Sequence, residues 1–137
     1  TPLQADGDGW IDLIWLTARL DGTDRRLSIF WNDGSGQFSL DRREIDSDRG
    51  ASPRAFALLP ANAARPSTLA FATLLGLELR SIDPATRALN EVTSPVPSLP
   101  GCTGLAAADL NGDGVVDLAA AVRGNLQVFT ARLEELR

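Results

Sequence analysis

The chain has 137 residues, a hydrophobic fraction of 44% and a net charge of −5, from 18 acidic and 13 basic residues. This composition suits one small globular unit or part of a larger one, and the acidic balance argues against a nucleic-acid partner. The sequence contains no His and only one Cys, which excludes the common catalytic triads and zinc sites. Carboxylate chemistry and oxygen-ligated metal ions remain.

No apolar run reaches the length of a membrane-spanning helix and no signal peptide is evident, so we expect no membrane span. Because the chain starts at Thr1, we expect a processed or excised segment. Cys102 has no second Cys to pair with inside the chain. It is either a small buried hydrophobic residue or the partner of a Cys elsewhere.

Short apolar runs separated by turn residues predict β-strands throughout the chain. The mixed-charge stretch Asp41–Arg49 is predicted to be an exposed linker, and residues 131–137 a short strand or a helical tail. A second linker is predicted at Pro95–Pro100, where three prolines cluster. In chain order the predicted strands are Trp10–Arg19, Leu27–Trp31, Gln37–Leu40, Arg54–Leu59, Ser67–Leu74, Leu77–Ser81, Ala88–Val92, Gly104–Ala108, Val115–Val122 and Leu126–Thr130.

The strands repeat as three copies of one unit. Residues 4–13 (QADGDGWIDL) align with residues 109–118 (DLNGDGVVDL), and a degenerate middle copy aligns through Leu69 and Leu77. The period of about 50 residues lies in the range of β-propeller blades. We therefore predict three units at residues 1–46, 47–94 and 95–137.

The second strand of each unit is apolar on both faces, as expected for a sheet that other sheets cover on both sides. This predicts an all-β fold of about three four-stranded propeller blades, with the first and the last incomplete. Such a chain is expected to be a segment of a larger or assembled propeller. The end blades are then expected to leave apolar faces bare, with residues such as Ile14, Leu16, Ala119 and Ala121.

The sharpest motif lies in the third copy, between its first and second strands. Its alternate positions carry oxygen donors, and Gly112 and Gly114 permit a tight turn. Calcium takes six to eight such oxygens, which favours a calcium site over the alternative of a solvated turn. The predicted ligands are the side chains of Asp109, Asn111, Asp113 and Asp117 and the backbone carbonyl of Val115.

The first copy carries a second candidate calcium loop, in which glutamine replaces the first carboxylate. The predicted ligands are Gln4, Asp6, Asp8 and Asp12, with the backbone carbonyl of Trp10. The middle copy keeps no carboxylate, so no metal is predicted there; its corresponding residues are Pro60, Asn62, Ala64 and Thr68. An EF-hand is excluded, because loop position twelve holds Trp15 or Ala120 instead of the bidentate Glu.

The motifs DLNGDGVVDLAAA and QADGDGWIDLIW, the latter followed by LSIFWNDGSGQF, resemble the FG-GAP/VCBS repeats, the blades of integrin-α-type β-propellers. The resemblance covers almost the whole chain. It implies a propeller with structural Ca²⁺ in the two glycine-rich loops. It also implies a secreted, periplasmic or cell-surface protein.

The predicted function is a non-enzymatic, calcium-stabilised module for extracellular binding or scaffolding. Its predicted partners are the remainder of a larger propeller or further copies of itself, and a protein or glycan ligand. The alternatives are an accessory segment of a secreted enzyme and a carbohydrate-binding lectin. Trp10, Trp15 and Trp31 suit either a sugar site or packing between blades, with packing favoured.

Overall fold

The computed structural model describes residues 2–20, 25–45, 51–62, 65–93 and 99–129. These residues form eleven strands in three antiparallel sheets, and strands that are neighbours in sequence are also neighbours in each sheet. No helix occurs in the described ranges. The predicted all-β class and the blade-like sheets are therefore confirmed. The described part of the chain also contains no helix long and apolar enough to cross a membrane.

The three sheets are named here as blades in chain order. Blade one contains β1 (Pro2–Leu3), β2 (Asp12–Thr17), β3 (Arg26–Asn32) and β4 (Phe38–Ile45). Blade two contains β5 (Ala55–Leu59), β6 (Thr68–Thr73), β7 (Gly76–Ile82) and β8 (Leu89–Glu91). Blade three contains β9 (Cys102–Ala108), β10 (Asp117–Val122) and β11 (Asn125–Phe129).

The first linker prediction is wrong over its first half. Strand β4 continues to Ile45, which pairs with Leu27 of β3 and is buried. The charged residues before Ile45 therefore belong to a strand, because an antiparallel ladder holds them whatever their side chains. Residues 46–49 of the first linker, residues 95–98 of the second and the tail at 131–137 lie outside the described ranges.

A first apolar core joins blade one to blade two. Blade two contributes Leu69 and Phe71 of β6, whose side chains are fully buried. Blade one contributes Ile14 and Ile29, which are paired across β2 and β3 and are also fully buried. The two sheets thus pack face to face, as propeller blades do.

A second core joins blade two to blade three through the opposite face of β6. Ala70 and Ala72 alternate with the large residues of that strand and belong to the same core as Leu118 and Ala120 of β10. Cys102 lies in the same core and is fully buried, where burial raises the pKa of its thiol. All six residues of β6 are buried, so blade two is covered on both faces.

The outer faces of the end blades differ in part from the prediction. Ile14 is fully buried and Leu16 packs against the first core, because both share the β2 face that meets blade two. The opposite face of β2 instead exposes Trp15, 54% accessible. On blade three, Ala119 and Ala121 pair with Val128 and Leu126, two residues that are 47% and 73% exposed.

We predict that Phe71→Ala lowers the free energy of unfolding by about 3–5 kcal/mol, because it leaves a cavity between blades one and two. Urea denaturation measures the change. Leu74→Ala is the control, since that side chain lies half-exposed at a turn and its loss should change stability by less than about 0.5 kcal/mol. Similar effects of the two substitutions would contradict the assigned core.

Candidate functional site

The first loop (residues 4–12) and the third loop (residues 109–117) adopt the same turn. Each has two glycines with positive φ, at 79° and 95° for Gly7 and Gly9 and at 79° and 82° for Gly112 and Gly114. Side chains with a Cβ rarely adopt this conformation, so the glycines allow the chain to fold back on itself. The alignment of the two copies therefore holds in three dimensions.

Both loops are braced by the same side-chain hydrogen bonds to the backbone. In each loop the third-position side chain accepts from the fifth residue's N–H, and the fifth-position side chain accepts from the seventh residue's N–H. Such bonds give short polar side chains their preference for tight turns. The bonds are Asp8 N–H to Asp6 Oδ1 (3.1 Å), Trp10 N–H to Asp8 Oδ1 (2.8 Å), Asp113 N–H to Asn111 Oδ1 (2.9 Å) and Val115 N–H to Asp113 Oδ1 (2.8 Å).

The last carboxylate of each loop is a buried anchor. Asp12 is fully buried and accepts N–H bonds from Ala5 at 2.8 Å and from Asn32 at 2.9 Å. Asp117 is 1% exposed and accepts the equivalent bond from Leu110 at 3.0 Å. Burial raises the pKa of Asp12, while its two backbone hydrogen bonds act in the opposite direction. Each anchor ties the start of a loop to the strand that follows it.

The two loops differ at their first position. In the third loop, Asp109 accepts the N–H groups of Gly112 at 2.7 Å and Gly114 at 2.9 Å. These backbone donors, Gly114 first, lower the pKa of Asp109. Gln4 stands at this position in the first loop and is exposed. The glutamine brings no charge to the loop.

The first loop is also paired with an arginine that the sequence analysis did not identify. Arg87, in the turn between β7 and β8 of blade two, donates from Nε to Asp6 Oδ2 at 2.7 Å and from Nη2 to Asp8 Oδ2 at 3.3 Å. The Asp6 side chain is only 2% exposed. Arg87 lies 81 positions after Asp6 and 79 after Asp8 in sequence, and no local pattern relates it to them.

The tryptophans do not form one surface. Trp31 is 4% exposed and lies in the first core, so the packing prediction holds for it. Trp10 and Trp15 are about half exposed and belong to neither core of the described residues, so packing between blades stays a prediction for them. The Trp10 ring lies over Gly34, where a Cβ would come within 2.6 Å of the indole. Gly34 therefore leaves room for the Trp10 ring beside the turn of blade one.

The middle loop is closed by its own backbone. Asn62 and Arg65 form a bridge, with N–H to carbonyl distances of 3.0 and 3.3 Å. Within the described ranges, Nε and Nη1 of Arg65 are buried without a hydrogen-bond partner, and burial lowers the Arg65 pKa. Ala64, one of the four positions compared with the metal loops, lies outside the described residues.

The third loop is rich in oxygen atoms that could serve as ligands. It has three carboxylates and one amide oxygen in nine residues, with the carbonyl of Val115 between them. Within the described ranges, no three His, Cys, Asp or Glu side chains come together as a group of metal ligands. The loop oxygens instead accept N–H bonds. Each carboxylate oxygen has a second lone pair, so these bonds do not prevent it from binding a cation.

Comparison with known protein families gives a match to the first part of the chain. Residues 5–62 match the family model described as an FG-GAP-like repeat, which confirms the resemblance over the first loop and strands β2–β5. No curated protein and no solved structure gives a significant match to the chain.

We predict that Asp12→Asn lowers the free energy of unfolding by about 1–3 kcal/mol, measured by urea denaturation in excess chelator. An amide has one acceptor oxygen, so one of the buried N–H groups of Ala5 and Asn32 loses its partner. Asp33→Asn is the control: Asp33 accepts one N–H bond from Ser35 at 2.9 Å, which an amide oxygen can keep. Equal losses in both variants would contradict the anchor role.

Proposed function

We propose that this chain, whose residues 5–62 form an FG-GAP-like repeat, is a calcium-stabilised β-propeller module for extracellular binding or scaffolding. The repeat and the blade-like sheets support a propeller-type module. The calcium ion, the extracellular setting and the binding role belong to the proposal. The proposed setting is a secreted, periplasmic or cell-surface protein.

The observation that carries the calcium proposal is the geometry of the third loop. Two positive-φ glycines fold the loop back, and its backbone N–H groups orient the side chains of Asp109, Asn111 and Asp113. Carboxylates crowded into one short turn repel each other unless a cation lies among them. Calcium is favoured over magnesium because it accepts carboxylate, amide and carbonyl oxygens in flexible geometry.

When bound, the ion would supply positive charge to the loop. The residues that would hold it are those predicted from the motif: Asp109, Asn111, Asp113, Val115 and Asp117. Asp117 is already fixed by the N–H of Leu110, and the other side chains lie on the exposed loop. This loop joins β9 to β10. An ion bound there would stabilise the connection between the edge strand β9 and the central strand of blade three.

The first loop offers a similar donor set, namely Gln4, Asp6, Asp8, Trp10 and Asp12, and its calcium site stays a prediction. Two of its carboxylates already hold Arg87, which weakens the case for a metal ion there. Blade one and blade three are therefore expected to differ in their need for calcium.

A lectin role is the second candidate, supported by the half-exposed rings of Trp10 and Trp15. Exposed indole rings can stack on the apolar faces of sugars. A scaffold module, in contrast, needs no sugar ligand. A glycan array with wild type and Trp15→Ala separates the two. Binding that the substitution abolishes would support the lectin role, and an array without signal would support the scaffold role. An accessory role within a secreted enzyme is a third candidate.

We predict that calcium raises the melting temperature, that chelator lowers it and that magnesium restores it less fully. A ligand of the folded state at a hundred times its Kd adds about 2.7 kcal/mol of stability. Asp109→Ala and Asp113→Ala should each abolish this gain, while the control Asp33→Asn should keep it. Calorimetric titration measures the binding, and a melting curve unaffected by chelator would contradict the proposal.

We also propose that the outer faces of blades one and three pack on further blades, either of a larger propeller or of further copies. Light scattering of the wild-type chain should then show self-association, since Leu126 and Val128 leave an apolar sheet face exposed. Leu126→Glu should shift the chain towards monomer, whereas Leu74→Glu, at a turn, should not. A wild-type chain that stays monomeric at high concentration would contradict this.

A further inference from the structure

The first loop already contains a positive charge. The guanidinium group of Arg87 contacts Oδ2 of both Asp6 and Asp8, at 2.7 and 3.3 Å. The hydrogen bonds within the turn use Oδ1 of the same two residues. Arg87 therefore binds the carboxylate oxygens that the turn does not use. In the third loop the corresponding Oδ2 of Asp113 accepts the side-chain amide of Asn111 at 3.1 Å.

The Arg87 side chain is held in place from two sides. Its guanidinium carbon lies 5.2 Å from the centroid of the Trp31 ring, within the range of a cation–π contact. The β7–β8 turn sets its backbone, because Arg87 donates its N–H to the carbonyl of Asp83 at 2.8 Å. The Arg87 backbone has a φ of 57°, an uncommon conformation for a residue with a Cβ.

The charges explain why this arginine lies there. Asp6 is almost fully buried, and a buried carboxylate needs a charged or hydrogen-bonding partner. A guanidinium group presents several N–H donors in a fixed fork and stays charged at any ordinary pH. A divalent ion bound to the same oxygens would lie next to this group and be repelled by it.

We propose that Arg87 takes the place of a metal ion in the first loop and, because it comes from blade two, ties blade two to blade one. The ion pair does not depend on the calcium proposal, whereas the expected number of bound calcium ions does. Wild type then binds one calcium ion, at the third loop. Removal of Arg87 opens the first loop as a second site.

Calorimetric calcium titration tests whether Arg87 occupies the place of a metal ion in the first loop. Wild type and Asp8→Ala should each bind one ion, and Arg87→Gln should bind two, with the new event at least tenfold tighter than any first-loop binding in wild type. Arg87→Gln/Asp8→Ala should return to one. Arg123→Gln is the control, since Arg123 is also an arginine with positive φ in a hairpin turn.

Two outcomes of the titration would overturn the proposal. The first is that wild type binds two ions and the Asp8→Ala variant binds only one. This comparison does not require any Arg87 variant to fold. The second is an Arg87→Gln chain with wild-type circular dichroism that gains no event. A wild type that binds no calcium, with an Arg87→Gln variant that binds one, would support the arginine role while contradicting the third-loop site.

A double-mutant cycle in excess chelator tests the ion pair without any metal. Asp6→Asn, Arg87→Gln and the double variant are compared by urea denaturation. The double variant should be destabilised by less than the sum of the single variants, because each single substitution already breaks the same pair. Additive losses would overturn the proposed pairing.

Discussion

The structure depends on one strand, β6, which is buried on both faces. Leu69 and Phe71 point into the core shared with blade one, and Ala70 and Ala72 into the core shared with blade three. Because side chains alternate along a strand, this division of large and small residues lets each neighbouring sheet pack at its own distance. Blade two is therefore covered, whereas the outer faces of its neighbours remain exposed.

The glycine-rich loops keep their shape through backbone hydrogen bonds. In both loops, side-chain oxygens accept nearby N–H groups, and a buried aspartate, Asp12 or Asp117, ties the loop to the following strand. The turn is thus satisfied within the chain. The carboxylates of each loop still carry negative charge, because hydrogen bonds from backbone N–H groups stabilise that charge without neutralising it. Under the calcium proposal, the ion balances this charge, because the hydrogen bonds between side chains and backbone already set the geometry of the turn.

The sequence predicted the strands and the equivalence of the loops well, because both follow from local patterns. Alternation and turn residues located β3, β5 and β7 to within about two residues, the usual uncertainty of strand ends. The length of β4 was missed, since its charged residues pair only through a ladder formed with β3. The inward face of β2 was also missed: Ile14 and Trp15 are both large and apolar, and only the packing of blade two shows which of them is buried.

Arg87 could not be found by the same means, because its partners Asp6 and Asp8 are distant from it in sequence. Its position nevertheless changes how the first loop should respond to its surroundings. A metal ion neutralises a loop within a single blade, and its effect follows the concentration of free ion. An arginine from the next blade neutralises the loop only while the two blades remain packed. The charge balance of the first loop is therefore coupled to the core formed by Phe71 and Trp31, and it does not vary with the supply of ions.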